Sequence, residues 1–189
     1  MPSSRGLFRG RSEPIRENGT EGAAAAAAVL YGDVNPSGKL SMTLPRVIGQ
    51  IPLYYNQTTS CRQNEGYYSD EPIRNYRDTL GSPLYPFGYG LSYTTFTVSK
   101  VSLNKDSMKD GESIRAAVTV KNTGTCAGTE TIQLYLHDVA ASVVRPVKEL
   151  KDFRKVTLQP EEEARVEFTI TEPQLRFLSE NNIFESEAG

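Results

Sequence analysis

From Phe96 onward, apolar and polar residues alternate with a period of two, the spacing that puts every second side chain on one face of a strand. Ile114, Ala116, Val118 and Val120 give the cleanest run. Before it, Phe96, Val98, Val101 and Leu103 predict a strand with a phase slip at Ser99-Lys100. After the Asn122-Thr-Gly124 turn, Thr131 to His137 predicts a third, with Ile132, Leu134 and Leu136 inward, Tyr135 on the other face and His137 an ordinary strand residue. Leu150, Phe153 and Val156 predict a fourth, with a bulge or kink. Val166, Phe168 and Ile170 predict a fifth after Gln159-Pro160. Short alternating strands at such intervals indicate a β-sandwich.

Upstream the pattern is different. Residues Glu21 to Tyr31 predict a helix: Thr20 can act as N-cap, Glu21 places negative charge at the positive helix end, Ala23 to Ala28 have the best helix propensity, and Gly32 stops it. Its apolar run falls far short of the roughly 20 residues a membrane span needs. The expectation is therefore a buried helix of small side chains packed close to a sheet. The turn-favouring Asp33-Val-Asn-Pro-Ser-Gly38 leads into Lys39 to Leu44, where Leu40, Met42 and Leu44 alternate as a half-buried strand should, and Pro45 closes it. Helix, turn and strand make one αβ unit of a larger sheet, which needs neighbours. Residues 1–17 carry Arg5, Arg9, Arg11 and Arg16 with only Leu7-Phe8 as an apolar pair, without the uninterrupted apolar stretch of a secretory signal. They read as a disordered leader or as unrelated sequence.

Between the two patterns, Pro52 to Ser82 is tyrosine-rich and irregular, a long loop holding Tyr54, Tyr55, Tyr67, Tyr68 and Tyr76. It runs into Pro83 to Phe96, where Tyr85, Phe87 and Tyr89 are spaced by two and interleaved with Pro86, Gly88 and Gly90. This predicts a stiffened extended ribbon with its rings on one side. Two readings stand: a packed interdomain connector, with Phe87 and Tyr93 as packing residues, or an aromatic shelf for stacking sugars.

At 189 residues the chain can bury one ordinary core or two small ones. Lys plus Arg number 21 against 23 Asp plus Glu, so no large field attracts nucleic acid or anionic membrane. Cys61 and Cys126 lie on either side of the junction in no metal-ligand spacing, and the single histidine argues against imidazole-dependent catalytic sets. No metal or cofactor is expected. Asn18-Gly-Thr20 and Asn56-Gln-Thr58 are formal glycosylation acceptors, and no compartment follows from the sequence.

Three motifs together carry a resemblance. Gly32-Asp-Val-Asn-Pro-Ser-Gly-Lys-Leu40, Pro86-Phe-Gly-Tyr-Gly-Leu-Ser-Tyr93 and Arg145-Pro-Val-Lys-Glu-Leu150 resemble the C-terminal part of glycoside hydrolase family 3 enzymes of the β-glucosidase type, over roughly residues 19 to 178. The resemblance implies a mostly β chain. A partial α/β sandwich remnant of one helix and one strand (19–52) would follow an unmatched leader (1–18). A tyrosine-rich linker (53–90) would come next, then a fibronectin type III-like, immunoglobulin-like β-sandwich (91–189) that stops before its last strand. Such truncation would leave open sheet edges and favour self-association. Departures are visible: the proline of the family's Pro-Gly-Thr-Glu-Gly segment is Asn18 here, and Asn56 to Arg62 keeps the Asn and Arg of the tyrosine loop but loses its Gly and Pro. Glu21 matches the acidic residue of that segment and reads as a capping residue. Retaining glycoside hydrolysis needs two carboxyl groups about 5–5.5 Å apart. The resemblance places the family's nucleophile in an N-terminal barrel and its acid/base in an earlier part of the α/β domain, so no catalytic residue carries over. The expected role is a non-catalytic, domain-stabilising C-terminal part of a β-glucosidase-like enzyme, whose partners would be the catalytic domains, if present in trans, and a β-glucoside or glucan. The alternative is a stand-alone interaction or carbohydrate-binding module.

Overall fold

The computed structural model describes residues 19–58 and 80–187. The leader, Asn18, Cys61 and the tyrosines 67, 68 and 76 lie outside them. The chain forms two compact units, residues 1–36 and 37–189.

In the first unit, helix α1 spans Gly22–Tyr31. The expected cap is not made. Glu21 sits at the N-cap with φ −86° and ψ −5°, already helical, and makes no side-chain cap bond; an N-cap side chain reaches back to the first turn only from an extended backbone. A turn replaces it, with the Gly22 amide donating to the Gly19 carbonyl at 3.2 Å. The other end closes as the sequence implies: Gly32 is left-handed (φ 84°), and the Asp33 amide donates to the Ala28 carbonyl at 2.8 Å. The helix is not buried. Leu30 and Tyr31 are 63% and 86% exposed, and Gly22 alone is buried. Helical propensity shapes the segment, but the described part of this unit holds no sheet to cover it.

The second unit begins with another correction. Lys39 to Leu44 is not a half-buried strand but an extended segment bent at Ser41-Met42, with Met42 62% exposed. Its partner is the aromatic ribbon. The Leu44 amide donates to the Tyr85 carbonyl and the Leu40 amide to the Tyr89 carbonyl, both at 2.8 Å, and the Gly88 amide returns to the Leu40 carbonyl at 2.8 Å. The ladder breaks between these ends because Pro86 to Tyr89 is a tight turn, closed by the Tyr89 amide on the Pro86 carbonyl with Gly88 at φ 80°. A short 3-10 turn, Ile48–Gln50, follows. The buried Gln50 side chain donates to the Leu80 carbonyl at 2.9 Å and accepts from the Arg46 amide at 2.6 Å, tying the two ends of the tyrosine-rich loop together.

The sandwich follows the predicted strands closely. β1 (Phe96–Val98) and β2 (Ser102–Leu103) are separated at the phase slip, and β3 spans Ser113–Asn122, β4 Gly128–Leu136, β5 Glu149–Leu158 and β6 Glu163–Thr171. β3 is central in the first sheet. β6 pairs along one of its edges from Ser113↔Thr171 to Lys121↔Glu163, while β1 and β2 share the other. β4 and β5 form the second sheet, with a register shift at Leu134/Tyr135 that matches the expected bulge. A short helix α2 (Glu172–Leu175) leads into the hairpin of β7 (Phe177–Leu178) and β8 (Phe184–Glu185). Val120, Ile132, Leu158, Val166 and Phe168 form the core, where the β4–β5 sheet covers β3 and β6. One assignment differs: His137, expected as a strand residue, lies just beyond β4 and is exposed. Among the strand residues, Phe153 is 54% exposed and Val98, Val101 and Leu103 are exposed by about half or more. A period of two assigns a side chain to a face; it does not supply the layer that covers the face.

Candidate functional site

The aromatic residues do not form one row. The turn at Gly88 reverses the ribbon, so Tyr85 and Tyr89 stack on each other with centroids 4.9 Å apart, and Phe87 is sent to a different partner. It lies flat on Tyr55 at 4.2 Å with 17° between the planes, and Tyr55 meets the edge of Tyr135, on β4, at 6.2 Å. The Lys148 ammonium sits 5.1 Å above the Tyr135 ring. Burial raises the Tyr135 hydroxyl's pKa, with a smaller contribution from Tyr55, and lowers that of Lys148. Backbone bonds surround this stack. The Leu150 amide donates to the Tyr55 hydroxyl at 3.4 Å, the Val147 amide donates to the Gln57 carbonyl at 2.9 Å, and Thr58 bridges Pro146. Gly88 approaches so closely that a Cβ there would stand 2.6 Å from Gln133 Oε1, the atom that accepts the Tyr135 hydroxyl.

Residues 53–58 and 85–89 are thus stapled to the outer face of the β4–β5 sheet. Phe87 behaves as a packing residue, as expected. Tyr93 does not: the residue is 53% exposed, and Tyr54 is 63% exposed. The stacked faces of Phe87 and Tyr55 are occupied by each other, so neither of those two faces is open to a sugar ring.

The Arg145 motif builds a second cluster that the sequence did not reveal. The Arg145 guanidinium lies 4.3 Å above the Phe177 ring and reaches Glu149 at 3.2 Å and Asp138 at 3.7 Å. Lys151 joins the same Glu149 oxygen at 2.7 Å. Near them, Glu187 accepts from the Ser142 amide at 3.0 Å and from the Ser142 hydroxyl. Asp138, Arg145, Glu149, Lys151, Phe177 and Glu187, together with His137 and Gln174, line a cleft of about 390 Å³. Two cations, Arg145 and Lys151, face three carboxylates, Asp138, Glu149 and Glu187, so most of the charge is paired within the cluster, which reads as a clasp between the β4–β5 loop, the β7 hairpin and the segment after β8. Its only sequence signal is a basic residue amid Pro146, Lys148 and Glu149, which does not name the distant Phe177 or Glu187.

The acidic groups whose pKa values are displaced go the wrong way for a general acid, which needs a raised value. The Ser142 hydroxyl, then its amide, hold the Glu187 carboxyl below the ordinary carboxylate range, with Arg145 adding a smaller attraction. Arg176 and Ser186 do the same to Glu172, and Lys105 and Lys109 to Glu112. A group with a depressed folded pKa contributes stability that is complete above its unfolded value, about 4.3 for glutamate, and is lost as pH falls through the lower folded value. Acidification below that range should therefore release the Ser142 loop while the core strands persist. The Ser142 amide resonance is the readout, and Glu187→Gln should remove its titration. A Ser142 signal that follows core unfolding at every pH would contradict the clasp.

Among the described residues, no group of three His, Cys, Asp or Glu is placed to hold a metal, and no helix is long and apolar enough to cross a membrane.

A β-sandwich of immunoglobulin-like layering, with an aromatic connector stapled to its outer sheet, defines a fibronectin type III-like module. Comparison with known proteins agrees. Residues 130–189 match the fibronectin type III-like domain, and residues 17–93 match the glycosyl hydrolase family 3 C-terminal domain. A periplasmic β-glucosidase of Salmonella typhimurium is 47% identical over 90% of this chain, which covers 22% of that protein. A putative β-xylosidase of Formosa agariphila is 42% identical over 82% of this chain, which covers 19% of it. The crystal structure of Listeria innocua β-glucosidase in complex with glucose superposes with a TM-score of 0.79 at 44% identity, over 90% of this chain and 24% of that one. The chain belongs to glycoside hydrolase family 3 and corresponds to the C-terminal part of its β-glucosidases. It spans about a fifth of the length of the curated relatives it matches.

Proposed function

We propose that this chain is a non-catalytic, stabilising C-terminal part of a β-glucosidase-like glycoside hydrolase, acting by docking against the catalytic domains of such an enzyme. Within it, 19–52 is read as the end of an α/β domain, 53–90 as the connector and 91–189 as the sandwich. The observation that carries this reading is exposure in the part that matches the family's C-terminal domain. Leu30 and Tyr31 in the first unit, and Met42, Ile48, Ile51 and Tyr54 in the second, are large apolar side chains left in solvent. Apolar side chains left in solvent within a segment that matches part of a larger domain are accounted for where the rest of that domain covers them. The parent reaction is hydrolysis of terminal β-glucosyl residues. This chain contributes no carboxyl pair to it, because neither the nucleophile nor the acid/base of the family falls within its motifs.

Two measurements on purified protein test the reading. Alone, the chain should not turn over a chromogenic aryl β-glucoside. Mixed with the N-terminal catalytic portion of the Listeria innocua relative, it should form a complex and raise that portion's melting temperature. Activity of the chain alone that co-purifies through successive columns would overturn the non-catalytic assignment, and failure to bind the catalytic portion would overturn the docking role.

A further inference from the structure

The cleft beside the Arg145 clasp is built from two stretches of the second unit, the loop between β4 and β5 with the start of β5, and the segment from α2 into β7. Its shape is held from within. Arg145 joins the two stretches, with its guanidinium over Phe177 and its ion pairs to Glu149 and Asp138, and Glu187 ties down the Ser142 loop. At about 390 Å³ the cleft falls in the range of small-molecule pockets, about 300–1,000 Å³.

The polar lining has bonding capacity to spare. Glu149 takes both Arg145 and Lys151 on the single oxygen Oε2, so Oε1 remains to accept. Gln174 spends its Oε1 on the Thr171 amide at 2.9 Å and the Thr171 hydroxyl at 3.3 Å, which leaves its amide hydrogens to donate. Lys151 uses one of three donors on Glu149, and the exposed His137 ring adds a donor and an acceptor. Val139, Pro146 and Leu175 supply apolar surface in the same lining.

Charge then selects among ligands. With two cations against three carboxylates, the lining carries an excess of negative charge and repels an anion. A cation has to displace Arg145 or Lys151, whose side chains are 14% and 19% exposed, from the carboxylate each already holds, and a largely buried charge left unpaired is costly. Hydroxyl groups disturb neither. Each donates and accepts at once, so a neutral polyol can bond to Glu149 and Gln174 together while every ion pair stays in place.

We propose that this cleft is a binding site for a small neutral polyol of the monosaccharide class. Its hydroxyls bond to Glu149 Oε1, the Gln174 amide, Lys151 and His137, and its C–H face rests on Val139, Pro146 and Leu175. The site uses none of the rings of the aromatic ribbon and none of the surface in residues 30–54, so it is independent of the docking role proposed above.

The test is titration of the full chain with D-glucose, followed through its backbone and side-chain amide resonances. Glucose should shift the Gln174 side-chain amide and the backbone amides of His137, Val139 and Lys151, saturating in the millimolar range, and leave those of Tyr55 and Phe87 unmoved. Added salt should not weaken the binding of a neutral ligand. Glucuronate, the same ring with a carboxylate, should bind more weakly by about fivefold or more, since it meets the negative lining. Ala140→Trp fills the cleft from an exposed position and should abolish the shifts while the melting curve stays unchanged. Should that variant not fold, the salt and glucuronate measurements on the unaltered chain decide. The proposal is overturned by shifts that rise linearly without saturating, by shifts outside the cleft, or by their persistence in folded Ala140→Trp. Binding of glucuronate as tight as that of glucose, or loss of glucose binding in salt, overturns it as well, because either would make the cleft a site for charge.

Discussion

Asn122→Ala should lower the stability of the sandwich by about 3–5 kcal/mol, as much as the truncation of a large core side chain, although it removes only a small polar group. The side chain is 0% exposed and fully engaged. Its Oδ1 accepts from the Thr94 hydroxyl at 2.6 Å and from the Gly124 amide at 3.1 Å. Its Nδ2 donates to the carbonyls of Cys126 at 2.9 Å and Leu158 at 3.1 Å. One amide thereby joins the entry to β1, the turn after β3, the approach to β4 and the end of β5. Alanine breaks two buried bonds, to the Thr94 hydroxyl and the Leu158 carbonyl, and two partly buried ones, to Gly124 and Cys126, and each orphaned group costs roughly 1–3 kcal/mol where water cannot follow. Asn122→Asp should be no better near neutral pH, since a carboxylate cannot donate to the two carbonyls and adds an unpaired buried charge. Thermal melts of both variants should fall by on the order of 10 °C. A melt within about 2 °C of the parent for Asn122→Ala would show that water or rearrangement replaces the network.

The same residue shows where sequence reading stops. Asn122-Thr-Gly124 was legible as a turn, because asparagine and glycine favour turns locally. The four partners of the side chain come from positions up to 36 residues away and leave no local trace. The strands were legible because period two is a local signal, and the bulge in β5 because the pattern slips there. What could not be read was coverage: Val98 and Leu103 carry the same inward phase as Val120, yet only Val120 lies beneath β4. Likewise Ala23 to Ala28 dictate a helix but not what packs on it. In the ribbon, Tyr85, Phe87 and Tyr89 imply one face only while the backbone stays extended. Gly88 at φ 80° ends that condition and sends Phe87 to Tyr55.

That diversion makes Phe87 the sharpest test of the connector. Phe87→Ala removes the ring that lies 4.2 Å from Tyr55 and opens the space between the turn and the β4–β5 sheet. A fully buried phenylalanine costs about 3–5 kcal/mol on truncation. Phe87 is half-buried, so the expected loss is lower, about 2–3 kcal/mol, of which roughly 0.5–1.5 kcal/mol is the ring pair itself. Tyr55→Ala should cost a similar amount and in addition leave the Leu150 amide without its hydroxyl acceptor. Because the two rings share one contact, the double variant should lose less than the sum of the single losses, and the shortfall measures the stack. Strict additivity would mean that the rings do not support each other. The sugar-shelf alternative gives the opposite result for Phe87→Ala, an unchanged melt with lost retention on a glucan column. That result would reassign the ring from packing to binding, because only an exposed face can be removed without loosening the sheet beneath it.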